Sequence, residues 1–322
     1  VKSRRRRIPA ALVLVSMATT LLAAAVAYAQ ASASSGASSP PPPWLARINM
    51  YRAMEELPPL ASDPALTAGS QNHAVYLIKN FGKLVRNGGG LSSAIDTESS
   101  AKPFYTSAGR TAAPHCEVDF AFSEHQSQER AVDRWIEGPL HRLLLLNPAL
   151  QRIGYGYYCE EGLCAQAVDV VDGIAQQPVD PEKQVALEFP PVNSTLSIND
   201  LPHETPNPLA ACPGYRFPVG LPITFAIGSF VGAKLTAYSI VRKDDPGAPR
   251  IEACGYDAYS YRNEARSQMS QVVGRLKAFS SVVVIPRHPL AAGNYRVSVT
   301  VNGSEYSWSF AIAPDDSRSA SR

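Results

Sequence analysis

The 322 residues are 45% apolar and 18% charged, a balance that excludes a disorder-dominated chain and suffices for two cores of moderate size. The formal net charge is +2, but five of the 30 basic residues, Lys2 and Arg4 to Arg7, stand at the very start; without them 25 basic residues face 28 acidic ones, a net charge of −3. The electrostatic footprint of a nucleic-acid binder is absent from such a chain.

Residues 1–29 join that Lys/Arg cluster to an apolar run from Ile8 to Val26, with small Ala27 and Ala29 around Tyr28. This is the pattern of a secretory signal peptide with an A-x-A cleavage site. The apolar run also approaches the ~18–20 residues of an uncleaved anchor, but the cleavage site favours removal, leaving an exported protein with no stable membrane span. Residues 30–43, rich in Ser and Pro, read as a solvated linker.

Ordered structure is expected from Trp44. Trp44, Ile48, Tyr51 and Glu55 mark a first helix that stops before Pro58. Asp63 is placed to cap a second helix with Pro64 in its first turn, and Leu66, Ser70, His73 and Leu77 share one of its faces. From Gly82 to Ala113 no periodicity survives and a loop is expected. "SEHQSQERAVDRWIEG" is helical again, with Ser123 as N-cap and Ala131, Val132, Trp135 and Ile136 as the apolar stripe. Pro139 ends or bends that helix at Gly138, and a short helix then carries Leu143 to Leu146.

The runs "IGYGYYC" and "CAQAVDVV" suggest a hairpin that closes this first region at residue 172. Residues 173–208 are dense in proline and read as a connector with one strand at "QVALEF". Between 209 and 313, "LPITFAIG", "KLTAYSIVR", "SSVVVIP", "NYRVSVTVNG" and "YSWSFAIA" indicate a small antiparallel β-sandwich. Residues 314–322 are expected to be disordered.

Five cysteines in an exported chain suggest two bridges and one leftover thiol. Cys159 and Cys164 would staple the hairpin and Cys212 and Cys254 would clip two strands, leaving Cys116 either buried and inert or reactive. Spacing alone does not settle the connectivity.

"INMYRAMEELPPLASDPALTAGSQNHAVYL" followed by "AVDRWIEGPLHRLLLLNPALQRIGYGYY" resembles, in that order, the two signatures of bacterial members of the CAP superfamily, named for cysteine-rich secretory protein, antigen 5 and pathogenesis-related 1 and also called the SCP domain. "LAACPGYRFPVGLPITFAIG" and the strands after it resemble the β-sandwich appended to one bacterial group of these proteins. The resemblance implies an α+β chain, a three-layer α-β-α CAP sandwich over 44–172 followed by a smaller all-β immunoglobulin-like sandwich. Many members carry two His and two Glu in a cleft, where some bind a divalent metal. His141 matches the cleft His of the second signature: Pro139 would break the helix and turn that imidazole toward a cavity. Related sequences carry their other cleft His in a "GHSE"-like segment, where this chain has "NGGGLSSAID". Glu117 and Glu137 are candidates for the two cleft Glu.

Other candidates come from the residues themselves. His115 and Glu117 would point the same way on a strand with Cys116 opposite, as a ligand set or as a loop edge. His125 and Glu129 would stand one helical turn apart, as half a metal site or a solvated ion pair. His73 faces Leu66 and Leu77, where a satisfied core histidine is the ordinary outcome and a cleft residue the alternative. No G-x-S-x-G or H-E-x-x-H is present. Two functions follow from the resemblance: a non-catalytic binder of a lipid-like or cell-envelope ligand through the CAP cleft, or a hydrolase holding a divalent metal such as Zn2+ with His141, Glu117 or Glu137, and His115. The first is preferred, because a catalytic metal needs three protein ligands and one imidazole is missing.

Overall fold

The computed structural model describes residues 40–175, 186–228, 232–245 and 247–314. The signal peptide, most of the linker, ten residues of the connector and nearly all of the tail lie outside these.

The first region has five helices, α1 (Pro43–Met54), α2 (Pro64–Arg86), α3 (Ser107–Ala112), α4 (Gln128–Glu137) and α5 (Pro139–Leu145). Asp63 caps α2 as expected, its Oδ1 accepting from the backbone N–H groups of Ala65 and Leu66, with Pro64 at the position that has no N–H to satisfy. Two expectations need correction. The stretch from Gly82 is not all loop, because α2 runs on to Arg86 and the Thr106 hydroxyl caps α3. The cap of α4 is Ser127, whose hydroxyl accepts from Arg130 N, and not Ser123.

Strands β1 (Ala61–Ser62), β2 (Cys116–Ala121), β3 (Arg152–Glu160) and β4 (Leu163–Asp169) form one sheet in the order β1-β3-β4-β2, antiparallel except for β1 against β3. The two-residue side-chain period of β4 sends Leu163, Ala165 and Ala167 to one face, against Ala74, Leu77 and Ile78 of α2 and Ala112 of α3. Val168 and Val170 go to the other, against Trp44 and Ile48 of α1 and Val132 and Trp135 of α4. A sheet between two helical layers is the result. Tyr155 of β3 is stacked on Trp44 at 4.9 Å between centroids and meets Trp135 edge-on at 6.4 Å.

The second region is built of β5 (Leu187–Phe189), β6 (Thr195–Leu196), β7 (Asp200–Leu201), β8 (Val219–Gly220), β9 (Ile223–Ala226), β10 (Leu235–Arg242), β11 (Ala253–Asp257), β12 (Ser281–Pro286), β13 (Gly293–Val301) and β14 (Ser304–Ile312). Two four-stranded sheets, β10-β13-β14-β6 and β11-β12-β9-β5, pack face to face through Val297, Val299, Trp308 and Phe310 on one side and Ile223, Phe225, Val282 and Val284 on the other. β5 and β6 come from the stretch expected to be a connector, so the chain enters the sandwich before residue 209. Helix α6 (Arg266–Ala278), between β11 and β12, was not expected in this all-β region.

The leucine run after Pro139 serves both regions. Leu145 and Leu146 face the core of the first, whereas Leu140 and Leu143 pack with Val272 and Leu276 of α6 and with Val283 and Ile285 of β12. Buried Arg142, between them, donates to the carbonyls of Ile136, Glu137 and Pro222 and lies 3.7 Å over the Phe189 ring. Among the described residues no helix is long and apolar enough to cross a membrane.

Candidate functional site

Gly138 has extended backbone, φ −75° and ψ 120°, and serves at once as the last cap of α4 and the first of α5. The chain therefore turns there, and His141 leaves the stripe of Trp135 and Ile136 to point at the neighbouring sheet. Its Nδ1 donates to Oε2 of Glu117 on β2. Sequence reasoning placed both residues in the cleft, and they meet.

The expected cavity is filled instead. Arg275 of α6 donates from Nη2 to Glu117 Oε1 at 2.6 Å, with Nη1 at 3.5 Å from Oε2. Glu204 comes from the stretch after β7, and its Oε1 accepts from the backbone N–H of Leu140 at 3.0 Å and of His141 at 3.4 Å while lying 3.9 Å from His141 Nε2. The His141 side chain is only 14% exposed, most of its ring being covered.

The charges in this cluster compensate one another. Burial opposes ionisation of Glu117, but Arg275 and His141 outweigh it and hold the carboxyl below its ordinary pKa. Burial likewise opposes charge on His141, and the Glu117 carboxylate, with Glu204 behind it, holds the imidazole above its ordinary value. Asp96 is held high by burial and then by Glu117, which places a further carboxyl beside the cluster.

The other candidates go elsewhere. Glu137 is buried at the end of α4, where both its oxygens accept from Arg130 and burial pushes its pKa up to about 7. His115 ends a short 3-10 turn before β2 instead of sitting on the strand, and its Nδ1 lies 3.0 Å from Oδ1 of Asp172, so it joins neither Glu117 nor His141. His73 is fully buried, with Nδ1 3.1 Å from Glu98 Oε1 and Nε2 2.8 Å from the Ile95 carbonyl; it fastens the loop that carries Asp96. His125 precedes α4, so it and Glu129 share no helical face. The disulfides are Cys159–Cys164 and Cys212–Cys254, and Cys116 is a buried free thiol whose pKa burial pushes up, the opposite of a reactive one.

A divalent ion in the cleft does not fit these residues. The guanidinium of Arg275 already holds the Glu117 carboxylate, and the ring nitrogen of His141 that faces Glu117 is engaged with it. Arg275 and Glu204 lie far along the chain from His141 and match no local motif, so nothing in the sequence marked them.

Residues 45–169 match the family model "CAP: Cysteine-rich secretory protein family". No curated protein matches the chain in sequence. Two solved structures are similar to part of it: PcoC, a copper resistance protein from Escherichia coli, at 16% identity over 39% of this chain and 94% of that one with a TM-score of 0.21, and an outer surface protein from Borrelia burgdorferi, at 18% identity over 38% and 85% with a TM-score of 0.26. TM-scores this far below 0.5 transfer neither copper chemistry nor a surface location to this chain. With helices on both faces of a four-stranded sheet, the first region has an α+β architecture consistent with that match over residues 45–169 to the cysteine-rich secretory protein family, and a C-terminal β-sandwich region follows it.

Proposed function

We propose that this chain is an exported, non-catalytic binding protein whose CAP cleft works as a joint between its two regions. The observation that carries the reading is the Arg275 guanidinium seated on Glu117 beside His141. A metal-dependent hydrolase there needs an open coordination position and a Glu117 free of cations, and the geometry opposes both. Export is supported by the two disulfides and the signal-like start.

A better place for a lipid-like or envelope ligand is a cavity of about 320 Å³ on the sandwich region. Arg242, Arg250 and His288 stand among its walls with Ile251, Leu290 and Tyr295, and the last two are buried. The guanidinium groups of Arg242 and Arg250 beside an apolar floor suit an amphiphile with an acidic head, the one wall carboxylate, Glu252, being paired with Arg287.

Titration calorimetry of the full chain with dodecyl phosphate, against uncharged dodecyl maltoside, tests this. Dodecyl phosphate is expected to bind, Arg250→Ala to weaken it by roughly tenfold or more, as loss of a hydrogen bond to a charged group does, and His141→Ala to leave it unchanged. Equal binding of both amphiphiles, or loss of binding in His141→Ala alone, would overturn the reading.

A further inference from the structure

His115, Asp169 and Asp172 converge away from the cleft, at the end of the β4 strand. One ligand atom from each lies within 4.8 Å of the others. They meet because β2 and β4 are paired with Cys116 opposite Asp169, the Val170 N–H donates to the His115 carbonyl, and the chain turns back at Asp172.

Two details distinguish this group from an ordinary ion pair. The Asp169 residue has no exposed surface; its Oδ1 accepts from the backbone N–H groups of Val171 and Asp172, which leaves Oδ2 buried without a partner. A buried carboxylate oxygen left so has lost its water without gaining a partner, which is unfavourable. His115 Nδ1 is likewise a buried atom with no hydrogen bond, although Asp172 Oδ1 is only 3.0 Å away: the two atoms are side by side and not aligned as donor and acceptor. A separation of ~3.0 Å is the edge of an octahedron with ~2.1 Å metal–ligand bonds, the spacing of two neighbouring ligands on one ion.

We propose that His115, Asp169 and Asp172 form a binding site for a divalent transition-metal ion of the Zn2+ or Mn2+ type. One imidazole and two carboxylates make a mixed nitrogen and oxygen set, which favours these ions over Ca2+ and Mg2+, whose sites are all oxygen. The side chains of His115 and Asp172 are 32% and 34% exposed, so the ion has a path from solvent and room for water as a further ligand. Bound there, it ties the end of β4 to the residue that precedes β2. This site shares no ligand with the His141 cluster and does not depend on what the sandwich cavity binds.

The experiment is calorimetric titration of the tag-free full chain with ZnCl2 and MnCl2 after chelator dialysis, with thermal denaturation as a second readout. One ion per chain is expected to bind, and Tm to rise as the ion is added. His115→Gln and Asp172→Asn should each weaken binding at least ~10-fold, the effect that removing even an outer partner of a metal site has, and abolish the Tm rise. Both positions are partly exposed, so two independent variants guard against misfolding. His141→Ala should bind as the parent chain does. Absence of binding, parental binding by both His115→Gln and Asp172→Asn, or loss of the ion in His141→Ala alone would overturn the proposal.

Discussion

At the scale of the residue, Glu137 shows how burial sets the behaviour of a charge. Its side chain is 3% exposed, and burial outweighs the attraction of Arg130, so its pKa moves from 4.5 to about 7. Between those values the folded chain holds a proton that the unfolded chain has released, so stability is full below pH 4.5 and falls as pH rises toward 7. At about 1.4 kcal/mol per pH unit the loss reaches up to ~3 kcal/mol. In Glu137→Gln that loss should vanish, since the amide does not titrate in this range. Urea denaturation at about pH 5 and about pH 8 reads this: the stability of the parent relative to the variant should drop by up to ~3 kcal/mol between the two, and an unchanged difference would contradict the assignment. The same scale shows what was legible in the site. His141 was found because the resemblance places a cleft His at the Pro-x-His step of the second signature, and Glu117 because it stands where the resemblance implies the first cleft Glu. Glu137, the other candidate for a cleft Glu, is paired with Arg130 and not with His141.

At the scale of the element, the glycines of β3 explain why a long helix lies directly on the sheet. A Cβ at Gly156 would stand 2.2 Å from Gln71 N and from the Ser70 carbonyl carbon, and one at Gly154 would stand 2.1 Å from the Leu66 carbonyl carbon. All of these are backbone atoms of α2, so neither contact can be relieved by a side chain moving aside. Gly156→Ala should cost about 1–3 kcal/mol or more in denaturant stability, as overpacking does. Gly274, on an exposed stretch of α6 with nothing within 4 Å of its missing Cβ, should gain up to ~1 kcal/mol as Ala, because there only helix propensity changes. If both substitutions had the same sign, close approach would not be what Gly156 provides. Elements with strong local signals were readable: the cap and Pro at the start of α2, the stripe of α4, the five long runs of the sandwich. α6 was missed although Met269, Val272, Val273 and Leu276 have the i, i+3, i+4, i+7 spacing of a helix face, because the strand runs on either side of it led the whole stretch to be read as β. Ser123 and Ser127 are both plausible caps four residues apart, and only the fold chose between them.

At the scale of the whole molecule, residues 43–314 form one body. One apolar cluster runs from Trp44 and Trp135 through Phe189 and Phe225 to Trp308 and Ile312, so the CAP domain and the sandwich share a core. Among the described residues, polar links cross the same boundary from Arg142 to Pro222 and Thr224, from Arg275 to Glu117, and from Glu204 to the first amides of α5. Each is wholly or largely buried on one side, and removing a partner from a buried charge costs about 3–5 kcal/mol, so separating the regions would expose apolar surface and strand charges together. Period and proline content read as two cores with a connector because both are local quantities, whereas a shared core is made by contacts between residues distant in the chain, such as Arg142 with Phe189 and Pro222. A shared core predicts one unfolding transition. In a Trp308→Phe variant the remaining Trp44 and Trp135 report on the CAP domain alone, while far-ultraviolet circular dichroism reports on both regions. The urea midpoints of the two signals should coincide, because the sandwich-facing side of α5 has no stable state once α6 and Glu204 have left it. Two separated midpoints would mean that the cleft is a loose contact between independent domains, free to open and admit what Arg275 now excludes.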